Sequence, residues 1–214
     1  MLDVHPPHGK IHGAGDFFLH LFTITVGLLI ALALEGCVER QHQRHLVHEA
    51  EAGMRLEIKE NSKQIGSLRQ QIVDENNQLN GNLAVLDELK INPKEKLKEL
   101  SFTFRMRGFD DVTWKTAQTT GALGLMPYRD AEVYSGIYNT QIALEDQQKE
   151  IVDDVMRAAS LVNTKKVGEQ PTAAEISLIT ERIGLVQLRL LLLNSYIDGL
   201  EKAYKKFEGE HAGA

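Results

Sequence analysis

The hydrophobic and polar positions change their pattern along the chain, and each pattern predicts a different element. Phe17 to Leu34 is a run of eighteen residues with no formal charge, interrupted only by His20, Thr23 and Thr25. As a helix it rises about 27 Å, enough to cross the hydrocarbon core of a bilayer. From Val38 to Ile91 the pattern becomes that of a polar helix with a narrow apolar seam. Ile58, Ile65, Ile72, Leu79 and Leu86 recur every seven residues, and Met54, Leu68 and Leu89 hold the companion position. Asn61, Glu75 and Asn82 interrupt that companion row. A heptad seam of this coiled-coil type needs a covering helix, and polar members specify its register at some cost in stability.

Asn92-Pro93 ends this helix, because proline disfavours helical geometry in the residue before it. Lys94 to Leu100 predicts a short amphipathic piece, and Ser101 to Met106 is the one stretch with strand-like alternation. Asp110 or Asp111 is placed to cap a short helix over about Val112 to Leu123, which Gly121, Gly124 and Pro127 break. A second long helix, from about Tyr128 to Asn163, carries Tyr134, Ile137, Ile151, Val155, Ala158 and Val162 on one face. After a turn over Lys165 to Pro171, Thr172 and Glu175 spell a capping box. Beyond it Ile176, Ile183, Leu190, Ile197 and Tyr204 repeat at seven, as do Ile179, Val186, Leu193, Leu200 and Phe207, so every seam position is apolar.

Three long helices joined by short connections predict an all-α protein, an antiparallel up-down bundle with short helices added. The expected organisation is a flexible leader over 1–16, a transmembrane helix over 17–34 continuing into the bundle over 35–208, and a frayed tail over 209–214.

Composition narrows the function classes. The chain has 214 residues and a net charge of −6, with both signs interspersed, which argues against a nucleic-acid partner. The single cysteine, Cys37, excludes an intramolecular disulfide. Leu34-Glu35-Gly36-Cys37 has the outline of a lipobox. A leader whose only base is Lys10, beside Asp3 and Asp16, favours a retained anchor over a cleaved signal. Arg40, Arg44 and Arg55 follow the run where Lys10 precedes it, which by the positive-inside rule leans toward a cytoplasmic bundle.

Candidate chemistry is thin. His42, His45 and His48 stand at i, i+3 and i+6, where neighbours on a helix can share a metal, but a polar membrane-proximal helix is the simpler account of them and no metal is expected. If Phe17–Leu34 spans, His5, His8 and His12 lie across the membrane from them. Thr23, Gly27 and Ala31 form a small-residue row that suits self-association within the membrane. Trp114, Gly121 and Tyr128 mark the most individual stretch, a short helix that closes one end of the core or a docking patch. Cys37, between acidic Glu35 and Glu39, is assigned no catalytic role. There is no nucleotide-binding loop, no metalloprotease motif and no nucleophile elbow, so neither a catalytic residue nor a cofactor is expected.

Gly27-Leu28-Leu29-Ile30-Ala31-Leu32 followed by a charged helix, then the pattern aromatic-x-x-Ala-x-x-Thr-Gly-x-Leu from Trp114 to Leu123 and the later Tyr138, resembles a family of bacterial single-pass membrane proteins of unknown function. The resemblance implies an inner-membrane location, with the bundle on the side opposite to that favoured by the basic residues. It implies no activity. The expected function is that of a non-enzymatic structural or interaction module whose partners are the bilayer and either a second copy or another helical membrane protein. The alternative is a small-ligand sensory bundle signalling along a continuous 17–91 helix.

Overall fold

A computed structural model describes residues 13–94, 96–163 and 169–211. His5, His8, His12, most of the leader and most of the Lys165–Pro171 turn lie outside the described residues. The elements are α1 (Ala14–Ser62), α2 (Ile65–Ile91), α3 (Val112–Thr119), α4 (Ala122–Leu125), α5 (Tyr128–Asn163) and α6 (Ala173–His211), with no strand among the described residues. The protein is all-α, as the periodicities predict.

The chain divides into two compact units, Met1–Glu49 and Ala50–Ala214. In the first, α1 is long and apolar enough to cross a membrane. Apart from half-buried Val26, its large apolar side chains from Phe17 to Leu34 are exposed, from 49% for Leu21 to 70% for Ile24. The Thr23 and Thr25 hydroxyls donate to the carbonyls of Leu19 and Leu21 at 2.9 and 2.8 Å, so neither polar interruption is left unpaired.

The second unit is a bundle built on α6. All ten seam residues of that helix are buried, none more than 5% exposed. Its start is the predicted capping box: the Thr172 N–H donates to Glu175 Oε2, and the Glu175 N–H donates to Thr172 Oγ1 at 3.2 Å. α6 packs along both α2 and α5. Cross-links fix both pairs as antiparallel. Arg69 bonds Asp198 and Glu201 while Gln187 bonds Asn76 and Asn80. Gln141 donates to the Tyr204 hydroxyl, and Arg189 pairs with Asp154.

Both flanking helices therefore run in the same direction, and the connection between them is not short. Residues 96–111 form an extended strap that returns along α2, so the up-down topology holds with a strap in place of a helix. The amphipathic piece expected over Lys94–Leu100 has no helix at 96–100. The expected continuous helix to Ile91 is also interrupted, at Lys63–Gln64. There the Gln64 N–H bonds the Asn61 carbonyl and Ser62 Oγ donates to the Lys59 carbonyl. Such local bonds compete with the regular helical ladder.

Three side-chain amides hold the strap, each gripping both backbone groups of one residue. Asn61 Nδ2 donates to the Asp110 carbonyl at 2.8 Å and its Oδ1 accepts the Asp110 N–H at 2.9 Å. Asn82 grips Ser101 in the same way at 2.6 and 3.0 Å, and Gln148 of α5 grips Arg107 at 2.9 Å in both bonds. Asn61 and Asn82 are separated by three heptads, about 32 Å of helix at ~1.5 Å per residue. Their strap partners Ser101 and Asp110 are nine residues apart, about 30 Å of extended chain at ~3.3 Å per residue. The two lengths match, which is why helix and strap stay in register from one clamp to the other.

Candidate functional site

The end of the second unit formed by α3, α4 and the start of α5 holds the most individual residues, and a single carboxylate organises it. Glu57 of α1 accepts the Thr113 N–H on Oε1. Its Oε2 accepts the Trp114 N–H at 3.4 Å and the Tyr138 hydroxyl at 2.8 Å. Two of the amides that a helix start leaves unsatisfied are thus covered from another helix. This corrects the expected cap: Asp111 is the N-cap residue of α3 but makes no side-chain capping bond, and its carboxylate pairs with Lys115 at 2.7 Å instead. Burial and the Glu57 carboxylate both raise the Tyr138 pKa, burial more, so the hydroxyl stays a donor. The Trp114 ring stacks on Tyr138 with centroids 4.8 Å apart and planes 9° from parallel.

Gly121 takes φ +78°, the left-handed conformation that glycine reaches without a Cβ penalty, and α3 ends two residues before it at Thr119. The helix expected over Val112–Leu123 is therefore two pieces. Trp114 and Tyr128 line one open groove of about 530 Å³ with Gln118, Leu123, Glu132 and Asn139. Gly121 does not line this groove. Trp114 is buried at 5% exposure while Tyr128 is 83% exposed, so the groove has a fixed floor and a free aromatic edge. Its polar groups are the Gln118 and Asn139 amides, the Glu132 carboxylate and the Ser135 and Tyr128 hydroxyls, suited to hydrogen-bonding a docked segment.

The other sequence candidates lie on α1. His42, His45 and His48 are exposed, and His45 Nε2 stands 3.1 Å from Glu49 Oε1. Among the described residues no group of three or more His, Cys, Asp or Glu side chains is placed to hold a metal. Thr23, Gly27 and Ala31 are all exposed, and a Cβ at Gly27 would meet nothing within 4 Å.

One further site shows in the sequence only as an interruption of the seam. Glu75, a buried seam residue, lies beside a groove of about 490 Å³ between α2 and the strap, with Arg105, Arg107 and Gln78 on its walls. Burial raises its carboxyl to a pKa of about 7, with Asp74 adding to the effect and Arg105 opposing it. A seam reading shows only that position 75 is polar, whereas the depth that shifts it comes from the strap. No family model, no curated protein and no solved structure matches this chain.

Proposed function

We propose that the chain is a single-pass, membrane-anchored interaction module without enzymatic chemistry, held in a bacterial inner membrane by Phe17–Leu34. The observation that carries this is the contrast between the two units. The first offers a continuous apolar helix whose large side chains over that run are nearly all exposed, whereas the second buries its own apolar seam. Apolar surface of that length, left uncovered in water, favours transfer to lipid.

The polar groups inside the second unit support a structural role. Asn61, Asn82, Gln148 and Glu57 are engaged with backbone or with Tyr138. The Trp114–Tyr128 groove is the docking surface for another helical membrane protein, and the Thr23–Gly27–Ala31 row supports close approach of two anchors. The resemblance of the anchor and of the Trp114–Leu123 segment to bacterial single-pass membrane proteins agrees with this assignment.

Fractionation of cells expressing the full chain, followed by an alkaline carbonate wash, tests it. The protein is expected to stay in the membrane pellet. Recovery in the wash supernatant would overturn the anchored reading. A reporter fused to the C-terminus and active on one side of the membrane then assigns the side that the bundle occupies.

A further inference from the structure

The face of α6 opposite its buried seam is fully exposed, yet it is not polar. Leu188, Leu191 and Leu192 lie on it at 54%, 67% and 48% exposure. Gly184 and Gly199 flank them on the same face, and a Cβ at either would meet nothing within 4 Å. A glycine inside a helix is less favourable than alanine, and no contact among the described residues requires one at either position. Glycine on a helix surface does, however, permit another backbone to approach closely.

The order of residues on this face is self-complementary. About a centre between Leu191 and Leu192, leucine stands opposite leucine, bulky Leu188 opposite small Ser195, Gly184 opposite Gly199, and Glu181 opposite Lys202, all of them exposed. A two-fold contact demands this property, since residue i must suit j where j meets i. The charges choose the direction. Antiparallel pairing sets Glu181 against Lys202 at both ends, whereas parallel pairing would set each against its own like charge.

We propose that this face packs against the same face of a second copy, antiparallel, about a two-fold axis between Leu191 and Leu192. The contact goes beyond the function proposed above and does not depend on the anchor, because every residue in it belongs to the second unit.

Single-cysteine variants of the full chain in detergent, carrying Cys37→Ser and mildly oxidised, test the contact. Leu191→Cys and Leu192→Cys sit beside the axis and are expected to convert most of the chain to a disulfide dimer. Ser195→Cys alone is expected to stay monomeric on a denaturing gel. Its two copies would lie about 10 Å apart along the axis, beyond the roughly 7 Å that a disulfide bridges. Mixing Ser195→Cys with Leu188→Cys restores the cross-link. Met156→Cys, exposed on α5, is the background control.

Cross-linking of Ser195→Cys by itself at the Leu191→Cys level would mean parallel packing and overturn the proposal. So would Leu191→Cys yields no higher than those of Met156→Cys. A dimer by light scattering with that second result would leave association through the anchor standing while removing this one. Because these positions are exposed, loss of folding is checked by comparing each variant's helical circular dichroism with that of the Cys37→Ser parent. Should a cysteine variant unfold, Leu191→Glu in the Cys37→Ser parent supplies the second measurement. It is expected to lower the dimer fraction, and an unchanged fraction would overturn the contact.

Discussion

Gly53 of α1 lies against Thr113 of α3. A Cβ built there would stand 2.5 Å from Thr113 Cγ2 and 3.1 Å from its Oγ1. Thr113 is β-branched and stiff about χ1, so it does not swing clear cheaply. Gly53→Ala is therefore expected to destabilise by about 1–3 kcal/mol, because overpacking outweighs the better helix propensity of alanine. Urea unfolding measures the loss, and adding Thr113→Ser, which removes the offending methyl, should recover most of it. A neutral Gly53→Ala would show that the approach is looser than the geometry implies.

Glu75 supplies a pH dependence at the same scale. Its pKa in the fold, about 7, lies above the ordinary value of 4.5, so the folded state binds the proton more tightly. Stability from this group is fully present below about pH 4.5 and falls as pH rises through 7. Each pKa unit corresponds to about 1.4 kcal/mol. Glu75→Gln keeps the shape and removes the titration. The stability difference between variant and parent is thus expected to grow between pH 5 and 8 by up to about 3 kcal/mol in favour of the variant. A difference that stays flat across that range would mean the carboxyl is solvated.

Among the elements, the strap is the one whose stability rests on few groups. Removing the Asn82 side chain leaves the Ser101 N–H and carbonyl without their amide partner, and two such bonds are worth about 2–3 kcal/mol together. Asn82→Ala should therefore weaken the strap before the helices. Hydrogen exchange would show the Ser101 amide losing protection by one to two orders of magnitude while amides in the middle of α6 change little. Equal loss in both would mean that the strap and bundle unfold as one.

This element also marks how far the sequence could be read. α5 follows from apolar residues on one face, and α6 from heptads and a capping box, because those signals are local and periodic. Asn61 and Asn82 are visible as interruptions of the seam, but an amide gripping a distant peptide has no periodic signature. The partner residues Ser101 and Asp110 are therefore not legible. The alternation from Ser101 to Met106 does report extended chain, with Phe102 and Phe104 half-buried and Thr103 and Arg105 exposed, but not what the chain lies against. Glu57 escaped for the same reason: a cap supplied by another helix leaves the nearby Asp110 and Asp111 as the only visible candidates.

At the scale of the whole molecule, the division at Glu49–Ala50 is also a division of the core. Every buried apolar side chain among the described residues lies between Ala50 and Phe207, within the second unit. Native stability is the small remainder of burial against chain entropy, and here the fully buried apolar side chains sit on one side of that boundary. A chain of residues 50–214 is accordingly expected to fold in water without detergent, with a thermal midpoint within a few degrees of that of the full protein in micelles. It keeps Met54, Glu57, Ile58 and Asn61, and with them the α3 cap and one of the three strap clamps. A later start at residue 65 would remove all four. That chain should lose Glu57's hold on α3 and the Asn61 grip on Asp110, and melt lower and more broadly. Circular dichroism melts of the two truncations decide the point. If the 50–214 chain aggregates while the full chain melts cooperatively, residues before Ala50 stabilise the bundle in a way that burial does not reveal.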